Sequence, residues 1–128
     1  MIDTKKIVEE FLNESRKENM DNEAELQLEL ACFIRQKHPE LKVKLEKNMF
    51  DKKKMVKKEA DIVLEGDGVK SVIELKYPKN GQVPVQMYNF VKDIKFLEQL
   101  HELGYRNNIF LAITADKKFW EGKQNVTV

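Results

Sequence analysis

The sequence predicts a single α/β domain, a mixed central sheet flanked by helices, with one extra helix ahead of the core. Three observations lead there. Apolar residues recur at helical spacing over 3–17, 23–37 and 84–103. Short runs rich in Val, Ile and Leu over 41–46, 59–77 and 108–114 have strand patterning. The resulting order is helix, helix, strand, hairpin, helix, strand, so the last helix is a crossover between two strands of one sheet.

A chain of 128 residues can bury one core but not two. No apolar run is long enough to span a membrane, and Met1–Lys6 lacks the apolar centre of a secretory signal. The expectation is a soluble, cytoplasmic protein with no membrane partner. A single cysteine excludes an internal disulfide and a Cys-based zinc cluster. Cys32, among Leu28, Leu30 and Ile34, reads as a small buried hydrophobe. The net charge of +1 argues against broad coating of nucleic acid, but it hides an asymmetry. Residues 1–30 hold nine acids against four bases, whereas 47–58 hold six lysines against one Asp.

The first helix carries Ile7, Val8, Phe11 and Leu12 as an apolar stripe, which must dock on its own core or on a second subunit. Residues 1–20 therefore form a helical arm. Asn22, followed three residues later by Glu25, reads as an N-cap with a capping box, opening a second helix that stops before Pro39. Leu26, Leu28, Leu30, Ala31, Phe33 and Ile34 make that helix apolar over a wide arc, and Glu23 shares a face with Leu26, Gln27 and Leu30. Leu41, Val43 and Leu45 alternate with Lys42, Lys44 and Glu46 as a half-buried strand, with Glu46 on its solvated side. Pro84 suits the start of the third helix, which places Met87, Val91, Ile94, Leu97 and Leu100 inward and ends at Gly104. Ile109–Ile113 is an unbroken apolar run, as in a strand buried on both faces. The core thus covers 22–116. In the tail over 117–128, Phe119 and Trp120 could cap the core or mark an interface, and the abrupt end fits a segment cut from a longer protein.

Residues 59–77 carry the chemistry. Two strand-like runs flank Gly66-Asp67-Gly68, a hairpin signal. Alternation puts Glu74 and Lys76 on one face of the second strand and Ile73 and Leu75 on the other. A turn centred near Asp67 sets Asp61 opposite residue 73, give or take one, so Asp61, Glu74 and Lys76 converge. Two carboxylates and an ammonium in reach of one another suit a divalent cation with an attached base or charge stabiliser. Taken alone, the trio is better read as a surface cross-strand ion cluster of little energetic weight.

Asp61, then twelve residues, then Glu74-Leu75-Lys76 resembles the catalytic motif of the PD-(D/E)xK nuclease superfamily, with Ala60 standing where the motif's proline would be. The αβββαβ order over 22–116 is similar to that superfamily's restriction-endonuclease-like core. The resemblance implies a Mg²⁺- or Mn²⁺-dependent nuclease that hydrolyses DNA in a restriction, repair or mobile-element setting. Asp61, Glu74 and the Leu75 carbonyl would be metal ligands, and Lys76 would position and help deprotonate water or stabilise the transition state. Glu23 matches the additional helix-borne acid of many members, with Glu25 and Glu29 as alternatives; for Glu25 the cap is the preferred role. Gln86, followed by Tyr88 and Phe90, partly matches a Gln of the exonuclease-like branches. Lys52, Lys53, Lys54, Lys57 and Lys58 read either as a solvated loop or as phosphate contacts. Cutting both strands would suit a homodimer, with the first helix as its surface. The rival readings are a catalytically inactive scaffold that binds nucleic acid or protein, and an unrelated α/β regulatory domain.

Overall fold

The computed structural model describes residues 3–15, 20–49, 59–77, 83–113 and 125–127. Its elements are α1 (Thr4–Glu14), α2 (Glu23–Lys37), β1 (Lys42–Asn48), β2 (Glu59–Gly66), β3 (Val69–Lys76), α3 (Val83–Glu102), β4 (Ile109–Ala112) and β5 (Asn125–Thr127). The strands form one mixed sheet in the order β1-β2-β3-β4-β5. Only the β3–β4 pair is parallel, because α3 carries the chain between them, whereas the other pairs are antiparallel. This is an α/β architecture, with α1 and α2 over one face of the sheet and α3 over the other.

Local chemistry explains the helix starts. The Asp3 side chain accepts from the Lys5 N–H and caps α1. The Asn22 side chain accepts from the Glu25 N–H at 2.8 Å, while the Glu25 carboxylate accepts from the Asp21 N–H at 3.1 Å. The first bond satisfies a donor that a helix start leaves bare, and the second ties the residue ahead of the cap to the first turn. Ile7, Val8 and Phe11 are buried, and Phe11 meets Phe33 of α2 edge-to-face at 5.6 Å. The apolar stripe of α1 is thus used within the chain's own core rather than left for a second subunit.

The hairpin turn is Asp67-Gly68, with φ of 51° and 79°, so both residues are left-handed as a two-residue type I′ loop requires. Gly66 pairs with Val69, which fixes the register that brings Ile62 opposite Ile73. β4 is buried along its whole length: Ile109 and Leu111 join the core under α1 and α2, and Phe110 and Ala112 the core under α3.

Four expectations need correction. Leu28 is 57% exposed and Cys32 is exposed too, because α2 buries Leu26, Leu30, Ala31 and Ile34, and 100° per residue turns 28 and 32 away from that side. Val91 is 66% exposed. Among the described side chains of α3, Leu97 and Leu100 are buried and Ile94 packs against the same core as expected, but Asp93 and Phe96 are buried instead of Val91. The Met87 side chain lies outside the described part. Leu45 is 40% exposed, since the side-chain alternation of β1 breaks beside it. Glu46 there is left-handed, with φ of 51°, and Glu46 and Asp61 are skipped in an otherwise continuous β1–β2 register. Val43, Ile62 and Leu64 belong to the α1/α2-side core, but Met49 and Ala60 to the α3 side, so both strands change faces at this break. The tail also contributes a strand, β5, which pairs with β4 from Ile109 to Leu111. Phe119 and Trp120 lie outside the described residues.

Candidate functional site

The β2–β3 ladder stops at Ile62 and Ile73. One step further, Asp61 and Glu74 would face each other, and here the strands part. The Asp61 N–H donates to Glu74 Oε1 at 3.1 Å, and the Leu75 N–H donates to Asp61 Oδ2 at 2.8 Å. Each acid therefore bonds the backbone of the opposite strand in place of a ladder bond. The Asp61 carbonyl accepts from Gln27 Nε2 of α2 at 2.8 Å, so Asp61 is held through its N–H, its side chain and its carbonyl. Covalent reach from the Asp61 nitrogen to its own carboxylate puts the two carboxylates within roughly 8 Å of each other.

Beside this gap is a cavity of about 210 Å³ lined by Glu23, Ala24, Gln27, Glu46, Asp61 and Leu75. Glu23 opens α2 and is exposed, at the rim. The position of α2 is set partly by Tyr77, whose hydroxyl donates to the Met20 carbonyl at 2.6 Å, just ahead of the cap. Burial pushes the Tyr77 phenol above its ordinary value, and the nearby Asp21 and Glu25 charges push the same way. Glu25 is used in the cap, and Glu29 is exposed on α2 away from the cavity wall. Glu46 is exposed, as its alternation implied, yet it lines the cavity because its left-handed backbone sits at the strand break.

Glu74 and Lys76 share one face of β3, the α3 side. Glu74 is fully buried, and neither residue lines the cavity. Lys76 Nζ lies 3.2 Å from Oδ2 of Asp93, a charge contact rather than a well-aligned hydrogen bond. The gap thus joins Asp61 to Glu74, the cavity joins Asp61 to Glu23 and Leu75, and Lys76 is turned toward α3. Gln86 lies in the first turn of α3, its side chain outside the described part of the structure. Lys52, Lys53, Lys54, Lys57 and Lys58 lie outside the described residues, but the strand ends that flank them, Asn48 and Glu59, are paired two positions from Glu46 and Asp61.

Two of these residues escaped sequence reasoning. Asp93 could have been found, because Phe96, Leu97 and Leu100 follow it at offsets of three, four and seven, placing an acid on a buried stripe. Gln27 was placed on the right face of its helix, but no local signal marks its bond to Asp61.

Among the described residues no three acidic, imidazole or thiol side chains are grouped to hold a metal ion. Mg²⁺ needs fewer: it is held by one or two carboxylates and completes its octahedron with water and substrate oxygens. Asp61 and Glu74 supply two. A strand residue aims its N–H and C=O at the same neighbour, so the Leu75 carbonyl also faces the gap into which its N–H points. This donor set is hard, oxygen-only and small, and it fits Mg²⁺ or Mn²⁺ better than a softer ion. Comparison with family models, curated proteins and solved structures finds no match to the chain.

Proposed function

We propose that this domain is a Mg²⁺-dependent nuclease with a PD-(D/E)xK-type site on a restriction-endonuclease-like core. The observation that carries the reading is the pair of bonds across the parted strands, Asp61 N–H to the Glu74 carboxylate and Leu75 N–H to the Asp61 carboxylate. Three further features support it. The element order from α2 to β4 is αβββαβ, Glu23 stands at the rim of the adjoining cavity, and the lysine-rich segment is anchored two residues from that cavity.

Mg²⁺ bound there would supply charge neutralisation at phosphorus and a water acidic enough to attack at neutral pH. Asp61 and Glu74 would hold the ion, held in turn by the Leu75 and Asp61 N–H groups. Glu23 would orient water at the open side. Lys76 would place positive charge where the phosphate oxygens become more negative. The lysines between β1 and β2 would bind the DNA backbone, a salt-sensitive and sequence-independent contact.

A second reading, an inactive scaffold of the same kind, draws on the burial of Glu74 and the engagement of Lys76 by Asp93. One experiment separates the two: incubation of plasmid, linear duplex and single-stranded DNA with Mg²⁺, Mn²⁺ or EDTA, repeated with Lys76→Ala. The nuclease reading expects cleavage that EDTA abolishes and that Lys76→Ala lowers by roughly 10²-fold or more. DNA binding without cleavage in either metal supports the scaffold, and cleavage indifferent to both chelation and substitution removes the proposed mechanism.

A further inference from the structure

Asp93 is an acid where α3 should carry a hydrophobe. It is 3% exposed and shares its helix face with the buried Phe96, Leu97 and Leu100. A carboxylate on such a face is costly unless a cation meets it, and Lys76 Nζ does so at 3.2 Å. The pairing also constrains the lysine. A lysine at a strand end ordinarily runs its flexible stem out to water, yet the Lys76 side chain is only 18% exposed and is drawn under α3. Its neighbours fix where that is. Lys76 pairs in register with Ala112, and Glu74 with Phe110, and both partners belong to the core that α3 covers. Glu74, Lys76 and Asp93 therefore lie on one side of the sheet, with the lysine paired to the acid of the crossover helix.

We propose that Asp93 is a positioning residue, which holds the Lys76 ammonium on the Glu74 side of the sheet so that it is in place for the phosphodiester chemistry; this rests on the nuclease reading above. The pair is buried from Asp93's side, so releasing Lys76 would take a neutralising cation from a carboxylate set among Phe96, Leu97 and Leu100. The contact therefore anchors Lys76 rather than competing with substrate for it. A contact of charge rather than of aligned hydrogen bonding should also be lost when the charge alone is removed, as in the isosteric Asp93→Asn.

The test is a double-mutant cycle of wild type, Asp93→Asn, Lys76→Met and the double variant, with kcat and KM for one duplex DNA at saturating Mg²⁺ and a thermal melt of each. Asp93→Asn is expected to lower kcat about tenfold or more with KM within about twofold. Added to Lys76→Met, it is expected to change kcat by less than about twofold, since its effect runs through the lysine. The melts supply a readout that needs no activity: Asp93→Asn lowers the midpoint of the wild type but not of Lys76→Met. A merely structural Asp93 would lower both midpoints and leave kcat alone at a temperature where the variants are folded. Wild-type kcat in Asp93→Asn, or losses that multiply in the double variant, overturns the role while the nuclease reading stands. A wild type that does not cleave DNA overturns that reading and the role with it.

Discussion

In the nuclease reading Asp61 serves folding and chemistry with one side chain, and two substitutions separate them. Leu75 is fully buried and its N–H donates to Asp61 Oδ2 at 2.8 Å. Asp61→Ala leaves that donor without an acceptor where the β2–β3 ladder has already ended, which costs about 1–3 kcal/mol. Asp61→Asn retains an oxygen that can take the same bond. Both variants relieve the same repulsion from Glu74, so it cancels in their difference, and alanine should be the less stable by about 2 kcal/mol. A 128-residue domain unfolds with an entropy of roughly 0.27 kcal/mol per kelvin, so the midpoints should differ by roughly 7 °C. Far-UV circular dichroism during heating reads that gap, and both variants should lose metal-dependent cleavage. Melts that coincide within about 2 °C would mean that the Leu75 bond is absent in solution and that the strands part in some other way.

Two other outcomes follow from the same structure. Asn108 is fully buried; it accepts from the Val72 N–H at 2.9 Å and donates to the Tyr105 and Leu97 carbonyls at 3.1 and 3.4 Å. Asn108→Ala should therefore cost roughly 3 kcal/mol by urea titration, and a loss under about 1 kcal/mol would show that the α3–β4 turn does not depend on it. The hydrogen bond between Lys47 and Glu65, 2.6 Å long, holds the Glu65 carboxyl below its ordinary 4.5 and Lys47 above its ordinary 10.5. The Glu65 contribution is present above pH 4.5 and lost as the pH falls through the lower folded value; that of Lys47 is present below 10.5 and lost as the pH rises through the higher one. The pair is partly exposed and worth less than about 1 kcal/mol, so the stability gap between wild type and Glu65→Gln should be small and level from neutral pH to about 4.5, then close in acid. A gap that widens in acid would be the wrong sign.

Much of the fold could be read from neighbouring residues alone. Asn22 and Glu25 announced the start of α2, Asp67-Gly68 the hairpin and its register, and the apolar run over 109–113 a strand buried on both sides. Each signal works within a few residues, because caps, turns and periodicity are local properties of the backbone. The register then brought Asp61 to within one position of Glu74, as far as alternation and turn length can reach. The expectation weakened where a residue's surroundings come from elsewhere in the chain. Leu28, Cys32 and Val91 are as apolar as their neighbours, and only the azimuth at which α2 and α3 settle on the sheet exposes them.

The sequence by itself determined the elements, their order and the nearness of Asp61 to Glu74, since these depend on propensity, turn chemistry and counting along two adjoining strands. The tertiary structure alone decided that the strands part there, that Glu46 leaves the strand conformation beside the gap, and that Lys76 meets Asp93 rather than water. Those outcomes turn on how α2 and α3 close over the sheet. Contacts seventeen or thirty-four residues apart, Lys76 to Asp93 and Gln27 to Asp61, are fixed by packing the whole core, and no short stretch of chain encodes them.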